Sequence, residues 1–201
     1  VPRNDYIPTF GDSYELSVEL RGIRPKIWRN LQVPLSYSLD EVSDVIQIAF
    51  GWENSHLHDF EVNGIRFGMS DVEDEIFAVD ECGAPLGAIA TLGSTFLYRY
   101  DFGDDWEHDV KVSGVVEYDG RKLTCPTALC TGGARACPPE DCGGPHGYTR
   151  MLEILADRNH AEYKDMKSWI GRSFDPVKFN IAAINKKLAS LSKRLEKERK
   201  P

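Results

Sequence analysis

The chain has 201 residues, of which 41% are hydrophobic and 28% charged, values that exclude wholesale disorder and suit one domain with a real core. No apolar run approaches the roughly 18 residues of a spanning helix, and the N-terminus lacks the apolar centre of a signal peptide, so a cytoplasmic protein with no membrane partner is expected. The net charge of −8 argues against nucleic acid binding through the body of the chain; the basic residues Lys186, Lys187, Lys193, Arg194, Lys197, Arg199 and Lys200 cluster at the end against Glu196 and Glu198, so any phosphate contact falls to that tail.

Residues 1–13 have no periodicity and read as an extended lead-in. Residues 14–20 alternate as a half-buried strand, Gly22 and Pro25 punctuate a turn, and 27–33 return as its partner. Ser38 with Glu41 makes a capping box. After it Leu39, Val42, Val45, Ile46, Ala49 and Phe50 recur at helical spacing until Gly51 stops the helix. Residues 58–62 and 65–67 flank Asn63-Gly64, a strong hairpin signal. The order is ββαββ, as in ubiquitin-like rolls. The fold class is therefore α+β: a mixed β-sheet built from hairpins with a packed helix, followed by C-terminal helices.

Residues 68–92 read as a surface excursion with short apolar pieces at Ile76-Phe77 and Ala88-Ile89. Residues 96–102 and 107–116 alternate around Gly103-Asp104-Asp105, a hairpin with an acidic, aromatic tip. Residues 125–147 are dense in proline and glycine, which predicts neither helix nor strand. Helices are predicted at 148–156 and 162–170. Asp175-Pro176 then opens a last helix whose Val177, Ile181, Ile184, Leu188, Leu191 and Leu195 form a heptad stripe, for docking on the sheet or its helical neighbours, or for a coiled coil. Three regions result: 1–13, 14–174 and 175–201. Of the aromatics Trp28, Trp52, Phe60, Tyr98, Tyr100, Phe102 and Trp106, the alternating set is expected inside and Trp106 at an edge.

The tip holds Asp101, Asp104 and Asp105 beside Trp106 and His108, more than a turn needs. If His56 and His58 share a strand they project from one face. With Asp101, Asp104 and His108 they then offer a mixed set suited to zinc, manganese or iron. On the plainer reading Asp101 and Asp104 cap the turn, His56 bonds to one of them, and Trp52 and Trp106 pack beneath. The five cysteines, Cys82, Cys125, Cys130, Cys137 and Cys142, leave one over in any full disulfide scheme and read as free thiols or metal ligands. Cys130, Cys137, Cys142 and His146 match the ligand count of a structural zinc site, though the same loop can be held by turns, with Glu140 or Asp141 accepting amide bonds. Cys142 near His146 also meets the nominal need of a thiolate nucleophile. No Walker lysine follows the loop glycines, so a nucleotide site is not indicated.

Four blocks carry a resemblance: Ile23-Arg24-Pro25-Lys26-Ile27-Trp28-Arg29, Phe50-Gly51-Trp52-Glu53-Asn54-Ser55-His56-Leu57-His58-Asp59-Phe60, Tyr98-Arg99-Tyr100-Asp101-Phe102-Gly103-Asp104-Asp105-Trp106-Glu107-His108, and Ala136-Cys137-Pro138-Pro139-Glu140-Asp141-Cys142-Gly143-Gly144-Pro145-His146-Gly147-Tyr148. In this order, over about 14–155, the chain resembles the plasmid pRiA ORF-three-like family, whose members occur on plasmids, in mobile elements and in chromosomes. The resemblance implies an α+β domain of undetermined biochemical role. Some members carry a resolvase label, but a serine recombinase needs a serine among arginines and a helix-turn-helix, and neither is visible. The expected function is a binding or interaction module for a protein or small ligand, with His56, His58, Asp101, Asp104, Asp105, Trp106, His108, Glu140 and Asp141 on its surface. The alternatives are a metal-dependent hydrolase or nuclease, and an accessory nucleic-acid binder acting through the basic tail.

Overall fold

The computed structural model describes residues 9, 11–69, 78–118, 127–171 and 174–199. It opens with the antiparallel hairpin of β1 (Ser13–Leu20) and β2 (Trp28–Pro34), in register from Ser13 opposite Pro34 to Glu19 opposite Trp28. Helix α1 (Leu39–Phe50) begins where the Glu41 carboxylate accepts from the Ser38 amide at 3.1 Å, which completes one half of a capping box. It ends at Gly51, whose φ of 99° few other residues adopt without strain. β3 (His58–Val62) and β4 (Ile65–Gly68) pair across Asn63-Gly64. Two short elements follow, β5 (Val79–Asp80) and α2 (Leu86–Ile89), the latter on one of the expected apolar pieces; Ile76-Phe77 lies outside the described residues. β6 (Thr95–Tyr100) and β7 (Trp106–Val116) form the acidic hairpin.

The described strands make one sheet in the order β5-β4-β3-β6-β7-β1-β2-β8, antiparallel except between β4 and β5. The N-terminal strand β1 lies inside it, paired with β7 on one side and β2 on the other. Alternation places Leu16, Val18, Leu20, Tyr98, Tyr100, Trp106, His108, Val110 and Val112 in the core with the buried stripe of α1. Phe60, Tyr98, His108 and Leu20 are successive cross-strand neighbours over four strands. Trp106 belongs to this inward set and is fully buried, not at an edge, because it opens β7 in phase with His108; Phe102, at the tip, is the exposed aromatic.

The 125–147 stretch departs from expectation. Leu129–Ala134 forms β8, paired with β2, and α3 (Gly144–Ala156) starts inside the stretch. Glycine is required in β8 at least once: a Cβ at Gly133 would stand 2.6 Å from the Phe179 ring. The strand's outer edge is covered by Asn185 of α5 (Ile181–Glu198), whose side chain donates to Cys130 O at 2.9 Å and accepts from Cys130 N at 2.7 Å. One side-chain amide thus replaces a missing strand. After α4 (Tyr163–Ile170), Asp175-Pro176 forms a turn rather than a helix start: Asp175 accepts from Val177 N, and Asn180 caps α5 by accepting from Ala183 N at 3.0 Å.

Arg29 locks these parts together. It is 2% exposed, and it donates to the carbonyls of Ala49, Trp28, Ala134 and Arg135 at 2.8–2.9 Å between the rings of Phe50 and Phe179. No carboxylate pairs with it among the described residues. Four carbonyl acceptors and two aromatic faces meet the need of a planar guanidinium, and they fix where the chain leaves β8 toward Pro138.

Candidate functional site

The β6–β7 turn is built by aspartates. Asp101 and Asp105 have φ of 56° and 55°, the left-handed region that Asp tolerates because its side chain bonds locally. Asp101 Oδ1 accepts from the amides of Gly103 (3.0 Å) and Asp104 (3.3 Å), and its carbonyl accepts from Asp105 N. Its own amide donates to Leu57 O at 2.9 Å, which ties the tip to the segment after α1.

A third loop seals against these two. Gly143 N donates to Asp104 Oδ2 at 3.1 Å, and Gly144 lies so close that a Cβ there would stand 2.3 Å from Asp104 O. Trp52 Nε1 donates to Pro138 O at 3.1 Å. Glu140 Oε1 accepts from Glu53 N (2.8 Å) and from the Tyr100 hydroxyl (3.1 Å), which itself accepts from Ser55 N. Burial first, and then the nearby Glu140 carboxylate, raise the Tyr100 pKa, so its hydroxyl remains a donor. Asn54 and Asp141 also adopt left-handed φ. Outside the Asn63-Gly64 turn and Arg135 at the end of β8, the described non-glycine residues with positive φ therefore gather on or beside this junction.

At its centre His56 Nε2 stands 3.6 Å from Asp101 Oδ2 and 3.3 Å from Asp141 Oδ1. His56, Asp101 and Glu140 each bring a ligand-competent atom within 4.8 Å of the others, and no further such group of three occurs among the described residues. Asp101 is buried, His56 and Glu140 are half-buried, and Asp141 is exposed.

The remaining predicted residues lie elsewhere. His56 precedes β3 instead of sharing it with His58, so the two imidazoles part: His58 meets the buried Glu81 at 3.1 Å. His108 is fully buried in the core. Its Nδ1 faces Tyr98 O at 3.3 Å, and since a carbonyl can only accept, Nδ1 carries the proton and Nε2 has no partner. Burial pushes its pKa down to about 3. Asp105 is exposed at the tip, and Trp106 lies beneath it in the core.

Cys130, Cys137, Cys142 and His146 do not gather. Cys130 sits in β8 with Sγ toward Gly132 O, and His146 is exposed in the first turn of α3. Burial raises all three thiols, Cys142 to about 12 with Asp104 adding to the effect, so none is an activated thiolate. Cys125 lies outside the described residues. Tyr100 is the junction residue that motif reasoning passed over. Its signal was the inward phase of β6, because a buried tyrosine needs a partner for its hydroxyl.

A mixed sheet with a helix after its first hairpin, and three loops meeting over an imidazole and carboxylates, define an α+β domain. The chain belongs to the plasmid pRiA4b ORF-3-like protein family, which it matches over residues 12–183. It is similar to the uncharacterized protein y4hQ of Sinorhizobium fredii, 36% identical over 180 residues that cover 88% of this chain and 91% of the relative. It also resembles the crystal structure of MM3350, a protein of unknown function from Methanosarcina mazei Go1: TM-score 0.76, 38% identity, 86% of this chain and 97% of that one. No helix among the described residues is long and apolar enough to cross a membrane.

Proposed function

We propose that the chain is a cytoplasmic binding module whose recognition surface is the junction of the His56 loop, the Asp101 turn and the 137–147 loop. One observation carries this reading: three segments distant in sequence are tied to one another by hydrogen bonds, while His56, Asp141, Asp105 and Phe102 stay accessible at the rim. Loops fixed on a rigid sheet are where recognition is usually placed. Less supports a hydrolase built on His56, His58, Asp101, Asp104 and His108, since a fully buried His108 cannot meet substrate and His58 is engaged by Glu81. The basic tail is likewise partly neutralised, with Arg194 on Asp44 and Arg199 on Glu41 of α1.

The test uses the whole chain and two rim variants, His56→Ala and Asp141→Ala, whose folding is checked by circular dichroism. Thermal shift is measured against nucleotides, carboxylic acids, amino acids and short peptides. A ligand class that stabilises the wild type and is weakened at least tenfold by either variant is the expected result. Ligands that stabilise all three proteins alike, or none that stabilises the wild type, would remove the surface from this junction.

A further inference from the structure

The geometry points to a divalent-cation site formed by His56, Asp101 and Glu140; it rests on the reading of this junction as the recognition surface and names its ligand. Two independent observations carry it.

The first is spacing. A tetrahedral metal with bonds of about 2.0–2.2 Å separates its donor atoms by roughly 3.3–3.6 Å. His56 Nε2 lies 3.6 Å from Asp101 Oδ2, so these two donors already stand at that separation. Glu140 brings a third ligand atom within 4.8 Å of both. One imidazole with carboxylates suits zinc, manganese or ferrous iron better than magnesium or calcium, which prefer oxygen alone.

The second is a carboxylate largely withdrawn from water with no lysine or arginine beside it among the described residues. The Asp101 side chain is 9% exposed. Its Oδ1 is used by two amides, and its Oδ2 faces His56 Nε2 at 3.6 Å. No lysine or arginine among the described residues pairs with Asp101, Glu140 or Asp141. The same sheet shows how a buried carboxylate is otherwise neutralised: Asp59 meets both Arg66 and Arg99. A carboxylate withdrawn from water calls for a positive partner, and here a cation supplies it. Tyr100 and the Glu53 amide then act as the outer groups that orient Glu140.

The experiment takes the full chain stripped with chelator and dialysed against zinc or manganese alone. Stoichiometry is read by elemental analysis, affinity by calorimetry and ligand type by the absorption of the cobalt(II) form. Expected are one ion per chain, affinity more than tenfold weaker in His56→Ala and in Asp101→Asn, and unchanged affinity in Cys137→Ser and His146→Ala. Asp101→Asn keeps an oxygen for the two turn amides, and His56→Ala, at a half-exposed position, guards against a folding artefact. A thiolate charge-transfer band, equal affinity in His56→Ala, or no stoichiometric ion in the wild type would each overturn the site. The organic-ligand panel reads the recognition surface separately, so that surface can stand where the cation fails.

Discussion

His108 shows what one buried residue does to the whole pH profile. Its ring packs on Phe50, Trp52 and Tyr98, with Asp109 the charged group that acts on it. The unfolded chain takes up a proton near the ordinary imidazole value of about 6.5, while the folded chain resists until about 3. Between those values the unfolded state binds more protons, so stability falls as pH falls, by about 1.4 kcal/mol per pH unit from this residue. His108→Gln is expected to flatten urea-unfolding free energy against pH between 6 and 4, whatever its effect at pH 7; an unchanged slope would show that the ring titrates freely. The sequence held the clue to this burial, since Trp106, His108, Val110 and Val112 keep one phase. Proximity to aspartates suggested a ligand instead. Asp101 was legible as a turn residue because its backbone needs follow from local chemistry. Which of the two turn aspartates His56 would face was not, because that depends on the Leu57 carbonyl accepting from the Asp101 amide across two loops.

At the scale of elements, β8 is the clearest departure from sequence reasoning. Leu-Cys-Thr-Gly-Gly-Ala has little strand propensity, and its stability comes from β2 on one side and Asn185 on the other. Asn185→Ala is expected to lower stability by about 1–3 kcal/mol, the penalty of unsatisfied backbone groups, and to increase self-association through the opened edge. Chemical denaturation and sedimentation velocity read the two effects, and a monomer of unchanged stability would refute the role. The hairpins were readable because Asn63-Gly64 and the strand alternation are local signals. The start of α5 was misplaced because Asp175-Pro176 satisfies the rules for a helix start and for a turn equally. Only the chain's path past Phe179 and Arg29 selects the turn.

Over the whole molecule, the heptad stripe resolves into two parts. Leu188, Leu191 and Leu195 are buried against the body, while Val177 and Ile181 are exposed, and Tyr37, Asp44 and Glu41 bond to Ser192, Arg194 and Arg199. The last helix is thus part of the core, as the docking reading of its spacing held. Leu188→Ala is expected to cost about 2–5 kcal/mol, with fluorescence and circular dichroism still following one transition; separate transitions would mean that α5 is an independent unit. The position of β1 has a consequence for synthesis. Glu19 pairs with Asp109, and Asn30 with Gly132, so the first hairpin leaves the ribosome with both outer edges open. At usual elongation rates it waits roughly 4 to 16 s for β7. Nascent chains are expected to depend on chaperone shielding during that interval and to fold slowly once released.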